Sequence, residues 1–344
     1  MVLGTKSFVL GLVIVVGFAP IRVQAQWAGE FTKVDRYERW RNAAGPYGPD
    51  KAIGASCLAF APNGSLYLAC EKFPDLVIIP PNGTPQQIRL QGVITGTDGE
   101  ADVDLEAMSI HDGSIFLMDE DNLVVYQTSL EKAGAVTTLP VVVHNGQITK
   151  ASVDNNPTNL ASVEGLVVSD KYLGPQSHRA LLLGKGPYFY LLDERDEDEG
   201  RMKSKLFIGT RVGNSIEINH EPVVFELDDP STAGASPANR FRLCELFEYQ
   251  GSLHALKTLK GRYHVVRCDL EAGTLAEICD FSDASNNLRA TGFDNNFEGA
   301  AVHQDGRLFL TADNEEFPNG GNGTPPEKKE GRGKTPLVSL RVRQ

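Results

Sequence analysis

Apolar residues along the chain gather in short runs separated by turn signals, and nowhere do they settle into the 3.6-residue stripe of a long amphipathic helix. Leu66-Tyr67-Leu68, Leu76-Val77-Ile78-Ile79, Ile115-Phe116-Leu117, Leu123-Val124-Val125-Tyr126, Ala180-Leu181-Leu182-Leu183 and Tyr188-Phe189-Tyr190-Leu191-Leu192 all read as strands. So do Val223-Val224-Phe225-Glu226-Leu227, Tyr263-His264-Val265-Val266 and Leu308-Phe309-Leu310. Many short strands with regular turns predict an all-β sandwich, barrel or propeller.

An internal repeat separates these folds. Val103-Asp104-Leu105-Glu106-Ala107-Met108, Ser162-Val163-Glu164-Gly165-Leu166 and Asn296-Phe297-Glu298-Gly299-Ala300 each open an apolar strand with a glutamate just inside it. In two copies a hairpin follows, through His111-Asp112-Gly113 and through His303-Gln304-Asp305-Gly306, and ends on an acidic group, Asp119/Glu120 and Asp313/Glu315. A further copy, Ser56 to Glu71, keeps the strands and a Pro62-Asn63-Gly64 turn, with Cys57 aligned to the glutamates. The strand openings Cys57, Leu105, Val163 and Phe297 are 48, 58 and 134 residues apart, and the last gap leaves room for two more units, one of them around Gln250 to Leu275. A period near fifty residues with about four strands per unit predicts a β-propeller. Leu337 to Arg343 alternates apolar and polar residues and is the expected partner of Phe31-Thr32-Lys33-Val34, closing the ring so that no sheet edge is left open.

The N-terminus sets the length available to the ring. Lys6, the apolar run Phe8 to Ala19 and Val23-Gln24-Ala25 read as a secretory signal, residues 1–25, which places the protein outside the cytoplasm, secreted or periplasmic. No cysteine follows the cleavage site to carry a lipid anchor, so no stable membrane anchor is expected. Residues 26–344 are then one propeller domain, and dividing them by the period gives about six blades, with five or seven also compatible. The formal charge is −12, and losing Lys6 and Arg22 with the signal makes it −14. Such a surface repels polyphosphate backbones, so nucleic acid is excluded as a partner; a monomer acting on a small molecule is expected. Five cysteines cannot all pair within one chain. A type I turn with a left-handed glycine at Pro62-Asn63-Gly64 pairs Cys57 with Ala69 and so argues against a Cys57–Cys70 disulfide.

In a propeller the first strand of each blade lines the central axis, so Glu106, Glu164 and Glu298 are expected to converge. Carboxylates brought together raise one another's pKa unless a cation is shared, and hard oxygen clusters suit calcium. Asp104 shares the strand face of Glu106 and joins this candidate metal set. Asp119, Glu120, Asp313 and Glu315 are candidates for a supporting shell or a second ion. The competing reading makes each glutamate a staple that accepts backbone N–H bonds from the next blade, which the close approach allowed by Gly165 and Gly299 favours. Lys72, Arg179, Lys185 and Lys257, near predicted strand ends, are candidate contacts for an anionic substrate. The run Asp193 to Gly200 reads as a solvated loop. No GxSxG, HExxH or P-loop motif is present, which leaves metal-assisted hydrolysis as the natural enzymatic class.

Asp104-Leu105-Glu106-Ala107-Met108 through Gly113 to Asp119-Glu120, together with Phe297-Glu298-Gly299-Ala300 through Asp305-Gly306-Arg307-Leu308 to Asp313-Asn314, resembles the blocks of the secreted phytase-like propeller family. Gly54 to Glu71 is similar to that family's opening hairpin. The resemblance implies a calcium-dependent phosphoesterase or esterase on a six-bladed propeller, with Glu106, Glu164 and Glu298 as its acidic positions. The chain departs from the pattern at Ala107, where the family has glycine, and at Cys57 in the first copy. A calcium-dependent lactonase-like propeller and a non-catalytic binding propeller are the alternatives.

Overall fold

The structure, a computed structural model, describes residues 27–38, 55–70, 73–96, 101–144, 163–198, 201–227, 241–259, 261–290, 297–312 and 334–342. The expected signal, Lys72, Asp313 and Glu315 lie outside them. After β1 (Trp27–Glu38), the first blade is β2 (Ala55–Phe60), β3 (Leu66–Cys70), β4 (Phe73–Ile79) and β5 (Gln86–Arg89). The second is β6 (Leu105–His111), β7 (Ser114–Asp119), β8 (Val124–Ser129) and β9 (Thr137–Val143). The third is β10 (Val163–Ser169), β11 (Tyr188–Asp198) and β12 (Arg201–Val212), with β13 (Ser215–Ile218) and β14 (Val223–Glu226) sharing the outer edge of β12. The fourth is β15 (Arg242–Tyr249), β16 (Ser252–Leu259), β17 (Arg262–Asp269) and β18 (Thr274–Asp280). The fifth is β19 (Phe297–Val302), β20 (Leu308–Ala312) and β21 (Lys334–Val342), completed by β1. Among the described residues two helices lie between strands: α1 (Gln176–Arg179) and α2 (Ser282–Ala290).

The first strands touch in a closed circuit, β2 to β6 to β10 to β15 to β19 and back to β2. Each gap between neighbouring blades holds its own apolar cluster, five in all among the described residues. Strand alternation feeds these gaps. Cys57 packs toward the second blade, and Leu58, one residue on, packs toward the fifth. The chain is a β-propeller, with five blades among the described residues where the length suggests six. Among the described residues the 134-residue gap holds one further unit rather than two, and the third blade is long: β11 and β12 form an extended hairpin, and β13 reaches across to pair parallel with β9. Ring closure follows the expected pairing, with Phe31 opposite Leu340 and Val34 opposite Val338.

Cys57 stands opposite Ala69, with Gly64 at φ 82° in the turn, as the type I reading requires. Cys57, Cys244, Cys268 and Cys279 are buried. Two expectations fail, one of a loop and one of a strand. The charge run from Asp193 continues β11 to Asp198, with Asp193 buried opposite Lys205 and Glu194 buried in the site described below. The Ala180 to Leu183 run forms no strand: β12 already has β11 on one edge and β13 and β14 on the other, and Leu181 and Leu183 face solvent. Among the described residues no helix is long and apolar enough to cross a membrane.

Candidate functional site

All five first strands carry a β-bulge at the same place, and the extra residues are Ser56, Glu106, Glu164, Glu245 and Glu298. A bulge leaves its residue outside the ladder and re-aims the side chain, which is how one sequence position comes to serve the axis in every blade. Ser56, rather than Cys57, is the equivalent of the glutamates. Glu245 escaped the sequence reading although Leu243-Cys244-Glu245-Leu246 carries the same apolar-flanked glutamate. Its strand lay ahead of the unit read from Gln250, and bulky Leu246 replaces the small residue that follows the other glutamates.

The expected single convergence of Glu106, Glu164 and Glu298 is split in two. Glu106 joins Asp104 and Glu120, and one ligand atom from each lies within 4.8 Å of the others, the group of this kind found among the described residues. Asp104 is buried at the entry to β6, and the Glu120 N–H donates to the Asp104 carbonyl at 2.9 Å, tying the turn after β7 to that entry. Asp119 supports this corner from beneath. Its buried carboxylate accepts from the Tyr126 hydroxyl at 2.9 Å, from Asn122 Nδ2 at 3.0 Å and from the Asn122 N–H at 3.1 Å. Burial pushes the Asp119 carboxyl up despite these donors.

Glu164 and Glu298 instead surround the guanidinium of Arg242, the first residue of β15. Nη2 lies 3.4 Å from Glu298 Oε1, Nη1 lies 4.0 Å from Glu164 Oε1 and also bonds Glu194 Oε1, and Nε donates to Thr258 Oγ1 at 3.3 Å. Three carboxylates thus share one internal cation. Burial, then Glu194, raise the Glu164 carboxyl well above its ordinary range; Arg242 pulls the other way, and Glu298 and Glu120 add to the rise. Glu120 connects the two clusters electrostatically. Burial works against the charge of Arg242, yet the surrounding Cys244, Glu194, Glu164 and Glu298 hold the guanidinium above its usual range.

Bonds from one blade to the next also occur at the bulges, but the side chain donates to a carbonyl rather than a glutamate accepting an N–H. Ser56 Oγ donates to the Leu105 carbonyl of the next blade at 2.5 Å. A similar bond joins the fourth blade to the fifth, where Cys244 Sγ donates to the Phe297 carbonyl at 3.3 Å. Glu245 is fully buried at φ 49°, accepts its neighbour Leu246 N–H at 3.0 Å, and leaves Oε2 without a hydrogen-bond partner. Burial raises its carboxyl well above the ordinary range, opposed by the N–H groups of Leu246 and Ala300. Gly165 and Gly299 allow the close approach expected of them: a Cβ on Gly165 would meet Leu246 Cβ at 2.8 Å, and one on Gly299 would meet the Ser56 carbonyl oxygen at 3.0 Å.

No protein-family model matches the chain, and no curated protein matches it. Solved structures are similar to it. Glutaminyl cyclase from Myxococcus xanthus aligns over 93% of this chain and 99% of its own at 12% identity and a TM-score of 0.49. The PQQ-bound aldose sugar dehydrogenase of Streptomyces coelicolor aligns over 90% and 99% at 14% identity and 0.44. Virginiamycin B lyase from Staphylococcus aureus with quinupristin aligns over 90% and 99% at 9% identity and 0.42. The propeller assignment rests on the strand pairing and the closed circuit of first strands.

Of the candidate basic residues, Arg179 and Lys185 lie away from the acidic end, whereas Lys257 stands opposite Leu243, next to the Thr258 that accepts from Arg242. Arg179, on α1, stands 5.7 Å over the Tyr172 ring, and exposed Lys185 follows in the same connection, beyond the far end of β10 from Glu164. Lys257, on β16, stands 4.4 Å over Phe241, with Arg262 at 4.6 Å on the same ring.

Proposed function

We propose that the protein is a propeller hydrolase of phosphate or carboxylic esters that holds a divalent cation, calcium first, at Asp104, Glu106 and Glu120. The observation carrying this reading is the gathering of those three carboxylates within 4.8 Å at the entry of the second blade. The donor set fits the group: hard oxygens from two elements, with Asp119 fixing the turn from below, suit a hard cation. A cation there would supply charge neutralisation to an ester oxygen and lower the pKa of a bound water. Burial and Glu194 push the Glu164 carboxyl well above its ordinary range, which suits it to hand a proton to a leaving oxygen beside this corner. Arg242 fixes Glu194 and Glu298, so the acidic wall keeps its shape without a second ion. The phytase-like resemblance supports the ester class, and the apolar run at Phe8 to Ala19 supports export.

A calcium titration followed by thermal melting tests the cation site. The melting temperature should rise with calcium, and at a hundredfold excess over Kd the stabilisation is about 2.7 kcal/mol. Glu106→Gln and Glu120→Gln should each remove most of that rise; a rise that survives both sinks the assignment. Turnover on p-nitrophenyl phosphate, p-nitrophenyl acetate, phytate and simple lactones, with and without calcium, then separates a hydrolase from a binding propeller. The binding reading draws its support from Ser56 and Glu245, which join blades.

A further inference from the structure

At the end of the ring away from the glutamates, the connection from β10 to β11, residues 170–187, leaves the sheet, forms α1 and returns. His178 on α1 stacks on His220 from the β13–β14 connection, with ring centroids 4.5 Å apart and planes at 29°. His220 Nδ1 lies 2.8 Å from the Glu221 carbonyl oxygen, which makes it the N–H nitrogen and leaves a lone pair on Nε2. That Nε2 and His178 Nδ1 are both buried without a hydrogen-bond partner. Among the described residues no third ligand atom gathers with these two closely enough for a metal ion, so the chemistry open to the pair is protonation.

We propose that the His178–His220 stack is an acid-released latch holding the 170–187 strap against the rim of the third blade. Neutral imidazoles stack without cost, and a first proton is tolerated because the Glu271 carboxylate, from the β17–β18 turn, lies beside α1 and accepts the Gln176 N–H at 3.1 Å. A second proton would set two like charges face to face in a partly buried place. Of the other groups around the pair, Tyr172 lies under Arg179 and Glu221 is exposed beside His220. Burial lowers the affinity of His178 for its proton, and His220 lowers it further, while Glu271 opposes them. A histidine depressed in the folded state stabilises fully above its unfolded value of 6.5 and loses that contribution as pH falls below it. Opening the latch frees Tyr172, Leu173 and Leu182, which pack on the cluster between the third and fourth blades.

Hydrogen exchange of the wild-type chain at about pH 7.5 and about pH 5, expressed as protection factors, decides the matter. Protection of residues 176–187 should fall at least about tenfold at the lower pH while β16 and β17 keep theirs. His220→Phe and His178→Phe, which keep a flat ring but cannot titrate, should each hold the strap's protection nearly constant over that range. Unchanged strap protection in the wild type, or an equal acid loss in both variants, overturns the latch.

Discussion

Glu245 shows what one bulged residue costs. Its side chain is fully buried, its backbone sits at φ 49°, and one carboxylate oxygen lacks a partner, so the folded chain holds the acid neutral. An acid raised in the folded state loses stability as pH climbs from its unfolded value of 4.5 toward the folded one, at about 1.4 kcal/mol per pH unit. Glu245→Gln removes that penalty. Its melting temperature should therefore exceed the wild type's by a margin that widens as pH rises above 4.5, and a constant margin would contradict the buried-acid account. Arg242 makes the opposite case, a buried cation whose removal leaves Glu164, Glu194 and Glu298 facing one another. Arg242→Met should cost about 3–5 kcal/mol in urea unfolding at neutral pH.

At the scale of elements, the bulge is the device that turns a strand into a blade joint. Where glycine follows it, a residue of the neighbouring blade fills the space: Leu246 lies against Gly165, and Cys57 lies against Gly299. Gly165→Ala and Gly299→Ala should each destabilise the fold by about 1–3 kcal/mol by chemical denaturation, because the atoms they meet are backbone, Cβ or the Thr311 methyl and cannot swing aside. Gly113, in the β6–β7 hairpin, has nothing within 4 Å of an added Cβ, but its φ of 69° still favours glycine. The strand runs, the Pro62-Asn63-Gly64 turn and the glutamate repeat were legible because alternation and turn chemistry are local. The extension of β11 through Asp193 and Glu194 was not, since nothing nearby in sequence announces that Arg242 and Lys205 wait across the sheet and the blade gap.

For the whole molecule, closure is the controlling fact. β1 comes from one end of the described chain and β21 from the other, and their pairing completes the fifth blade. Leu340 is fully buried in the cluster between the fourth and fifth blades, so Leu340→Ala should cost about 2–5 kcal/mol. Because every gap has its own cluster and the circuit is closed, that loss should appear as a shift of the whole melting transition; a separate early transition confined to the fifth blade would argue against closure as the source of cooperativity. The sequence alone determined the all-β class, the repeat, the closing pair and the acidic residues worth watching, because each depends on periodicity or on residues close in the chain. Tertiary structure decided how the described strands group into blades and how the glutamates divide. The first depends on how far β11, β12 and β13 extend a single unit, and the second on Arg242, which enters from a neighbouring blade and draws Glu164 and Glu298 away from Asp104, Glu106 and Glu120.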